Sequence, residues 1–87
     1  MVKIKNRVYR IEYIVTDKVY ISALEIEYNY RGNGYYERII NSLQKKYNKP
    51  ICLKCWYPLL PFYRKLGFEK SGVYFNGYYE MIKPVIL

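Results

Sequence analysis

Histidine is absent from this chain of 87 residues, and cysteine appears only twice. A zinc centre asks for about four nitrogen or sulfur ligands, so Cys52 and Cys55 alone cannot build one, and no metal is expected. The two cysteines form a lone C-x-x-C inside Ile51-Cys52-Leu53-Lys54-Cys55-Trp56, which reads as a strand. A redox pair wants its first cysteine at a helix N-terminus. Three residues along a strand also separate two Cα atoms by ~10 Å, too far for a disulfide. No run of 18 apolar residues exists, so nothing is expected to span a membrane. The opening Met-Val-Lys-Ile-Lys lacks the apolar stretch of a signal peptide, and a cytoplasmic location is the default expectation. Acidic residues are scarce, 7 against 15 lysines and arginines, for a formal charge of +8. That charge fits an anionic partner or a surface that keeps a small protein in solution. The cations are spread along the chain rather than clustered, which ranks nucleic-acid binding last among the functions considered.

What the chain has in abundance is tyrosine, 13 residues, within a composition that is 52% hydrophobic and so argues for a packed core. Tyrosine covers apolar area while keeping a hydroxyl that seeks a partner, and most of these rings are expected to pave sheet faces. The length suits one domain, 1–87, with no linker, repeat or low-complexity tract.

Periodicity orders the elements. Tyr9, Ile11, Tyr13 and Val15 alternate with Arg10 and Glu12, a strand. Val19, Ile21 and Ala23 hold one phase of a second strand, while Leu24, Ile26 and Tyr28 hold the other. A strand with one buried face changes phase only through an extra residue, which predicts a β-bulge near Ala23–Leu24. A glycine-bearing loop, Asn29 to Gly34, leads into a helix to about Tyr47 with Tyr36, Ile39, Ile40, Leu43 and Tyr47 on one stripe. Pro50 blocks its continuation. Ile51 to Trp56 is a near-continuous apolar strand, Pro58 to Leu66 a short helix, and Asn76-Gly77 the turn of a closing hairpin. The order is β-β-α-β-α-β-β, a mixed α+β (or α/β) sheet with two helices. A strand, a glycine loop and a helix N-terminus in succession offer converging N–H groups and a favourable dipole to an anion.

Leu24-Glu25-Ile26-Glu27-Tyr28-Asn29-Tyr30-Arg31-Gly32-Asn33-Gly34 resembles the bulged strand and phosphate loop of the GNAT N-acetyltransferases, whose signature is R/Q-x-x-G-x-G/A. Pro61-Phe62-Tyr63-Arg64-Lys65-Leu66-Gly67-Phe68 is similar to that family's "FYEKLGF" helix, and Gly77-Tyr78-Tyr79-Glu80-Met81-Ile82-Lys83 to its last strand. The likeness covers roughly residues 8 to 83. It implies acetyl transfer from acetyl-CoA to an amine, a protein amine before a free metabolite. It places the CoA diphosphate on the amides of Arg31, Gly32, Asn33, Gly34, Tyr35 and Tyr36. It puts the N–H near Ile26 on the thioester carbonyl and makes Tyr63 the acid that protonates the departing thiolate. Direct attack needs a neutral amine. In a chain without histidine a carboxylate is the natural base, with Glu25 preferred to Glu27 because it sits nearer the bulge.

Three departures from the family pattern stand out. Tyr36 replaces the small last residue of the signature, so its ring must turn into the core if the amide is to reach a phosphate. Trp56 stands where the family often has Asn. The family's usual first strand and first helix pair are missing, which leaves the acceptor side open. An open cleft suits a protein acceptor, one with acidic surroundings given the chain's charge. A homodimer closed by the tail Pro84-Val85-Ile86-Leu87 is the alternative. A non-catalytic binding module on the same fold is the competing function.

Overall fold

The computed structural model describes residues 1–85. Six strands form one sheet in the order β1-β2-β3-β4-β6-β5. β1 (Val2–Lys5), β2 (Tyr9–Val15) and β3 (Val19–Ile26) make an antiparallel meander. The chain then runs through helix α1 (Tyr35–Tyr47) and returns as β4 (Ile51–Trp56), parallel to β3. Helix α2 (Leu60–Lys65) follows, and the hairpin of β5 (Glu69–Phe75) and β6 (Tyr78–Lys83) pairs back onto β4. This is the mixed sheet with two helices expected from periodicity, with one addition. β1 precedes the two strands read from the sequence. Its four residues alternate, but all are exposed, so no buried stripe announces it.

Both helices cover one face of the sheet. Ile40 and Leu43 of α1 and Tyr63 of α2 pack with Ile11, Tyr13, Val19, Ile21, Ile51, Leu53, Cys55, Phe68 and Met81. Each fully buried side chain of this kind contributes about 1.5–3 kcal/mol, against the narrow margin of so short a chain. The opposite face carries the polar phase of the strands, including Arg10, Glu12, Glu25 and Glu80. Cys52 and Cys55 are both free and buried, and three residues apart on one strand they point to opposite faces. The hairpin turn has Asn76 at φ 50° and Gly77 at φ 84°, both left-handed as a two-residue turn between twisted strands requires. Among the described residues no helix is long and apolar enough to cross a membrane.

The bulge lies slightly earlier than the phase change alone indicated. Glu12 faces Ala23 and Tyr13 faces Ile21, so Ser22 is the extra residue. Its hydroxyl donates to the Glu12 carbonyl at 3.2 Å. Past this point Leu24 and Ile26 return to the helix-covered face.

Candidate functional site

The bulge has a consequence for the next strand. β3 and β4 pair only from Val19↔Ile51 to Ile21↔Leu53, while β4 continues to Trp56 beside β6. Beyond Ile21 the two parallel strands therefore part, and their facing edges open onto a gap.

Strand pairing sets which backbone groups look into that gap. The Glu27 N–H donates to the Val8 carbonyl at 2.7 Å, which makes Glu27 and Val8 a hydrogen-bonded pair across β2 and β3. In an antiparallel ladder the adjacent pair, Tyr9↔Ile26, is then a non-bonded one, so the N–H and C=O of Ile26 point away from β2. The same alternation turns Leu24 outward. The Ile26 carbonyl is taken by Arg31, whose Nε donates to it at 2.9 Å. That bond ties the strand end to the loop.

The loop reaches α1 through two left-handed glycines, Gly32 at φ 79° and Gly34 at φ 76°. A Cβ on either would meet nothing within 4 Å, so the demand for glycine is conformational, not spatial. A left-handed non-glycine residue costs ~1–2 kcal/mol. Gly34 caps α1 without any side-chain hydrogen bond, which leaves the first-turn N–H groups of the helix open to an outside acceptor. The backbone N–H of Arg38 closes the first turn onto the Gly34 carbonyl at 3.1 Å, and its side chain stacks 4.4 Å over the Tyr35 ring.

Strand end, loop and helix start enclose a cleft of about 450 Å³. Seven of the nine residues singled out from the sequence line it: Glu25, Ile26, Arg31, Gly32, Gly34, Tyr35 and Tyr36. Asn33 and Tyr63 are not among the lining residues. The Asn33 side-chain amide folds back toward the carbonyls of Tyr30 and Arg31 at 3.4 and 3.5 Å. Tyr63 is a core ring, 9% exposed, edge-on to Tyr36 at 5.8 Å and to Phe62 at 5.2 Å. Its hydroxyl lies 2.7 Å from that of Tyr36. The ring of Tyr36 thus turns inward and spends its polar end on Tyr63, as the large residue at that place required.

Both phenols have raised pKa values, chiefly through burial, and stay protonated at neutral pH. The shared hydrogen bond, in which either hydroxyl can be the donor, raises Tyr36 further and pulls Tyr63 back down. With Tyr36 as the donor, Tyr63 keeps its own proton free to donate; with Tyr63 as the donor, that proton is held by Tyr36. Glu25 projects from the uncovered face, and Arg10 Nη2 donates to its Oε1 at 2.8 Å. The Arg10 guanidinium, by hydrogen bond and charge, holds the Glu25 carboxyl below the ordinary value, so it is ionised and weakly basic.

Sequence reasoning missed the Arg10–Glu25 pair and the Tyr36–Tyr63 contact. Arg10 and Glu25 each sat on the polar phase of a strand, but pairing them needs the register, which the bulge shifts by one. Leu24, Tyr30, Glu37, Phe62 and Leu66 also line the cleft. Of these, Phe62 and Leu66 appeared in the sequence only as members of the Pro61–Phe68 motif, with no role at the cleft.

No sequence-family model matches this chain, and no curated protein matches its sequence. Solved structures do match its shape. An acetyltransferase assigned to the GNAT family, from Bacteroides thetaiotaomicron, superposes with a TM-score of 0.70 at 20% identity, over 91% of this chain and 56% of its own. The NatC complex bound to Gag peptide and CoA matches with a TM-score of 0.61 at 21% identity, over 90% of this chain and 60% of that one. The chain spans little more than half the length of either. It has a GNAT-like fold, a six-stranded mixed sheet with two helices.

Proposed function

We propose that this chain binds acetyl-CoA in the cleft between β3 and α1 and transfers the acetyl group to an amine on a protein. The observation that carries the reading is the parting of β3 from β4 after Ile21, directly ahead of an uncapped, glycine-led helix N-terminus. The donor set fits the ligand. Amides at the start of α1 suit diphosphate oxygens, the left-handed glycines leave their neighbourhood clear, and the mainly apolar cleft suits an extended arm. Glu37, in the first turn of α1, and Glu25, on β3, are the lining groups of opposing charge.

When bound, acetyl-CoA supplies an activated acetyl thioester. The Ile26 N–H, fixed by the ladder and turned from β2, donates where negative charge grows on the carbonyl oxygen. Tyr63 protonates the departing sulfur, with the Tyr36 hydroxyl stabilising the phenolate left behind. Glu25 holds the incoming ammonium near the cleft. Its lowered pKa suits it to orient the amine while water carries the proton away. The new bond joins amine nitrogen to acetyl carbon as the carbon–sulfur bond breaks, and the second proton lost from the nitrogen restores the Tyr63 phenol.

The test is release of free CoA thiol from acetyl-CoA with lysine-bearing and N-terminal peptides, paired with mass detection of the acetylated product. A second reading, a non-catalytic binding module, draws support from one observation. Both candidate catalytic groups already have partners, Tyr63 in Tyr36 and Glu25 in Arg10. Acetyl-CoA binding with no product from any amine supports that module. A homodimer joined through the C-terminal tail rests partly on Ile86 and Leu87, which lie outside the described residues.

A further inference from the structure

A second hollow, of about 270 Å³, opens beside the cleft, and the two share Glu25, Ile26 and Arg31 in their walls. Its far lip is the turn from β1 to β2, which contributes Lys5, Asn6 and Arg7. Asn6 stiffens that turn. Its Oδ1 accepts from the backbone N–H of Val8 at 2.8 Å and of Tyr9 at 2.9 Å.

The charges around the hollow are of two kinds. Arg10 is committed to Glu12 and Glu25. Arg31 is committed to the Ile26 carbonyl and to the Tyr28 ring. Lys5 and Arg7 make no ion pair among the described residues, and both are exposed. Across from them, Glu25 and Glu27 supply carboxylates to the same hollow. One lip thus presents two uncommitted cations, and the opposite wall presents two carboxylates, Glu25 paired with Arg10 and Glu27 accepting from the Asn29 N–H.

We propose that this hollow is the acceptor subsite and that it takes a peptide amine flanked by an acidic side chain. The proposal rests on the acetyl-transfer reading of the adjoining cleft. The ammonium lies toward Glu25, at the junction with the cleft, and the acidic flank reaches Lys5 and Arg7. A nucleic-acid strand fits less well, because its phosphates would face Glu25 and Glu27, while two of the hollow's four cations, Arg10 and Arg31, are already committed. A second copy of this chain, with its own net charge of +8, is repelled at long range.

The experiment uses three short peptides that differ only in the residues flanking one lysine: aspartate, serine or arginine. Binding is read by fluorescence anisotropy with and without CoA, and transfer by mass. The Asp-flanked peptide is expected to bind about tenfold more tightly than the Ser-flanked one, the sum of two exposed charge pairs. The double variant K5E/R7E, on an exposed turn, is expected to reverse the order of the Asp- and Arg-flanked peptides while acetyl-CoA affinity is unchanged. Should it not fold by its melting curve, K5Q and R7Q are each expected to lose part of the preference. Selective binding without transfer keeps the subsite and removes the catalytic reading. Equal binding of the three peptides overturns the proposal, as does a preference that survives K5E/R7E. Binding of a labelled RNA that K5E/R7E abolishes, with no choice among peptides, overturns it in favour of a nucleic-acid surface.

Discussion

Replacing Tyr63 by phenylalanine separates chemistry from packing, because the structure gives its hydroxyl a single buried partner. Tyr36 and Tyr63 share one hydrogen bond of 2.7 Å between rings that are largely enclosed. Tyr63→Phe removes one partner and leaves the Tyr36 hydroxyl unpaired, a loss of ~1–3 kcal/mol. Each kilocalorie lowers Tm by roughly 4–8 °C in a domain of this size, so a fall of about 4–24 °C is expected. Removing both hydroxyls, Tyr36→Phe with Tyr63→Phe, leaves two apolar rings of the same shape, which is nearly neutral in stability. Activity follows a different pattern. Tyr63→Phe is expected to lose ~10²-fold or more in turnover, the usual worth of a positioned acid. Tyr36→Phe keeps the acid and loses less. The double variant regains Tm and stays as slow as Tyr63→Phe. Melting curves and thiol-release rates on the four proteins provide the cycle. A double variant that recovers turnover along with stability, or a Tyr63→Phe enzyme as fast as the parent, would refute the assignment and leave Tyr63 a packing residue.

Phe68 is 2% exposed in the centre of the core, and Phe68→Ala should cost ~3–5 kcal/mol, enough to unfold much of so small a domain, as circular dichroism would report. Gly34→Ala keeps free space around its Cβ but strains a φ of 76°, so a loss of ~1–2 kcal/mol with weakened CoA binding is expected, and an unchanged Tm would contradict the left-handed cap. Burial and the hydrogen bond to Tyr47 push the Tyr13 phenol up to about 12, so its contribution to stability is complete below the unfolded pKa of ~10 and lost as pH rises toward 12. Tm followed with tyrosinate absorbance across that window checks the sign. Cys52 and Cys55 are 0% and 1% exposed with thiols shifted upward by burial, so a thiol reagent should label them only as fast as the protein opens.

Much of this architecture was written in periodicity. The stripe Tyr36-Ile39-Ile40-Leu43-Tyr47 gave α1 its face, and the Asn76-Gly77 pair gave the hairpin, because both depend on contacts within a few residues. The phase change from Ile21 to Leu24 revealed a bulge but not the position of its extra residue, since Ser22 is singled out only by what Glu12 and Tyr13 do on the facing strand. β1 escaped notice for a related reason. An exposed edge strand needs only one paired neighbour, and its four residues bury nothing. At the candidate site, local motifs pointed to the loop and helix start. The Arg10–Glu25 and Tyr36–Tyr63 pairs join residues 15 and 27 positions apart, so they follow from register and helix packing, not from any motif. The inward turn of Tyr36 was foreseeable, because the stripe on α1 already assigned it to the core.

The cleft's role as an acetyl-CoA site is tested most directly by melting the purified chain against increasing acetyl-CoA. Ligand at 100 times its dissociation constant stabilises the folded state by ~2.7 kcal/mol, which at roughly 4–8 °C per kilocalorie raises Tm by more than about 10 °C. A saturable rise of that size, reduced when Gly34 is replaced by alanine, is the expected result. A melting curve that does not move at millimolar acetyl-CoA, from protein that unfolds cooperatively, would contradict it.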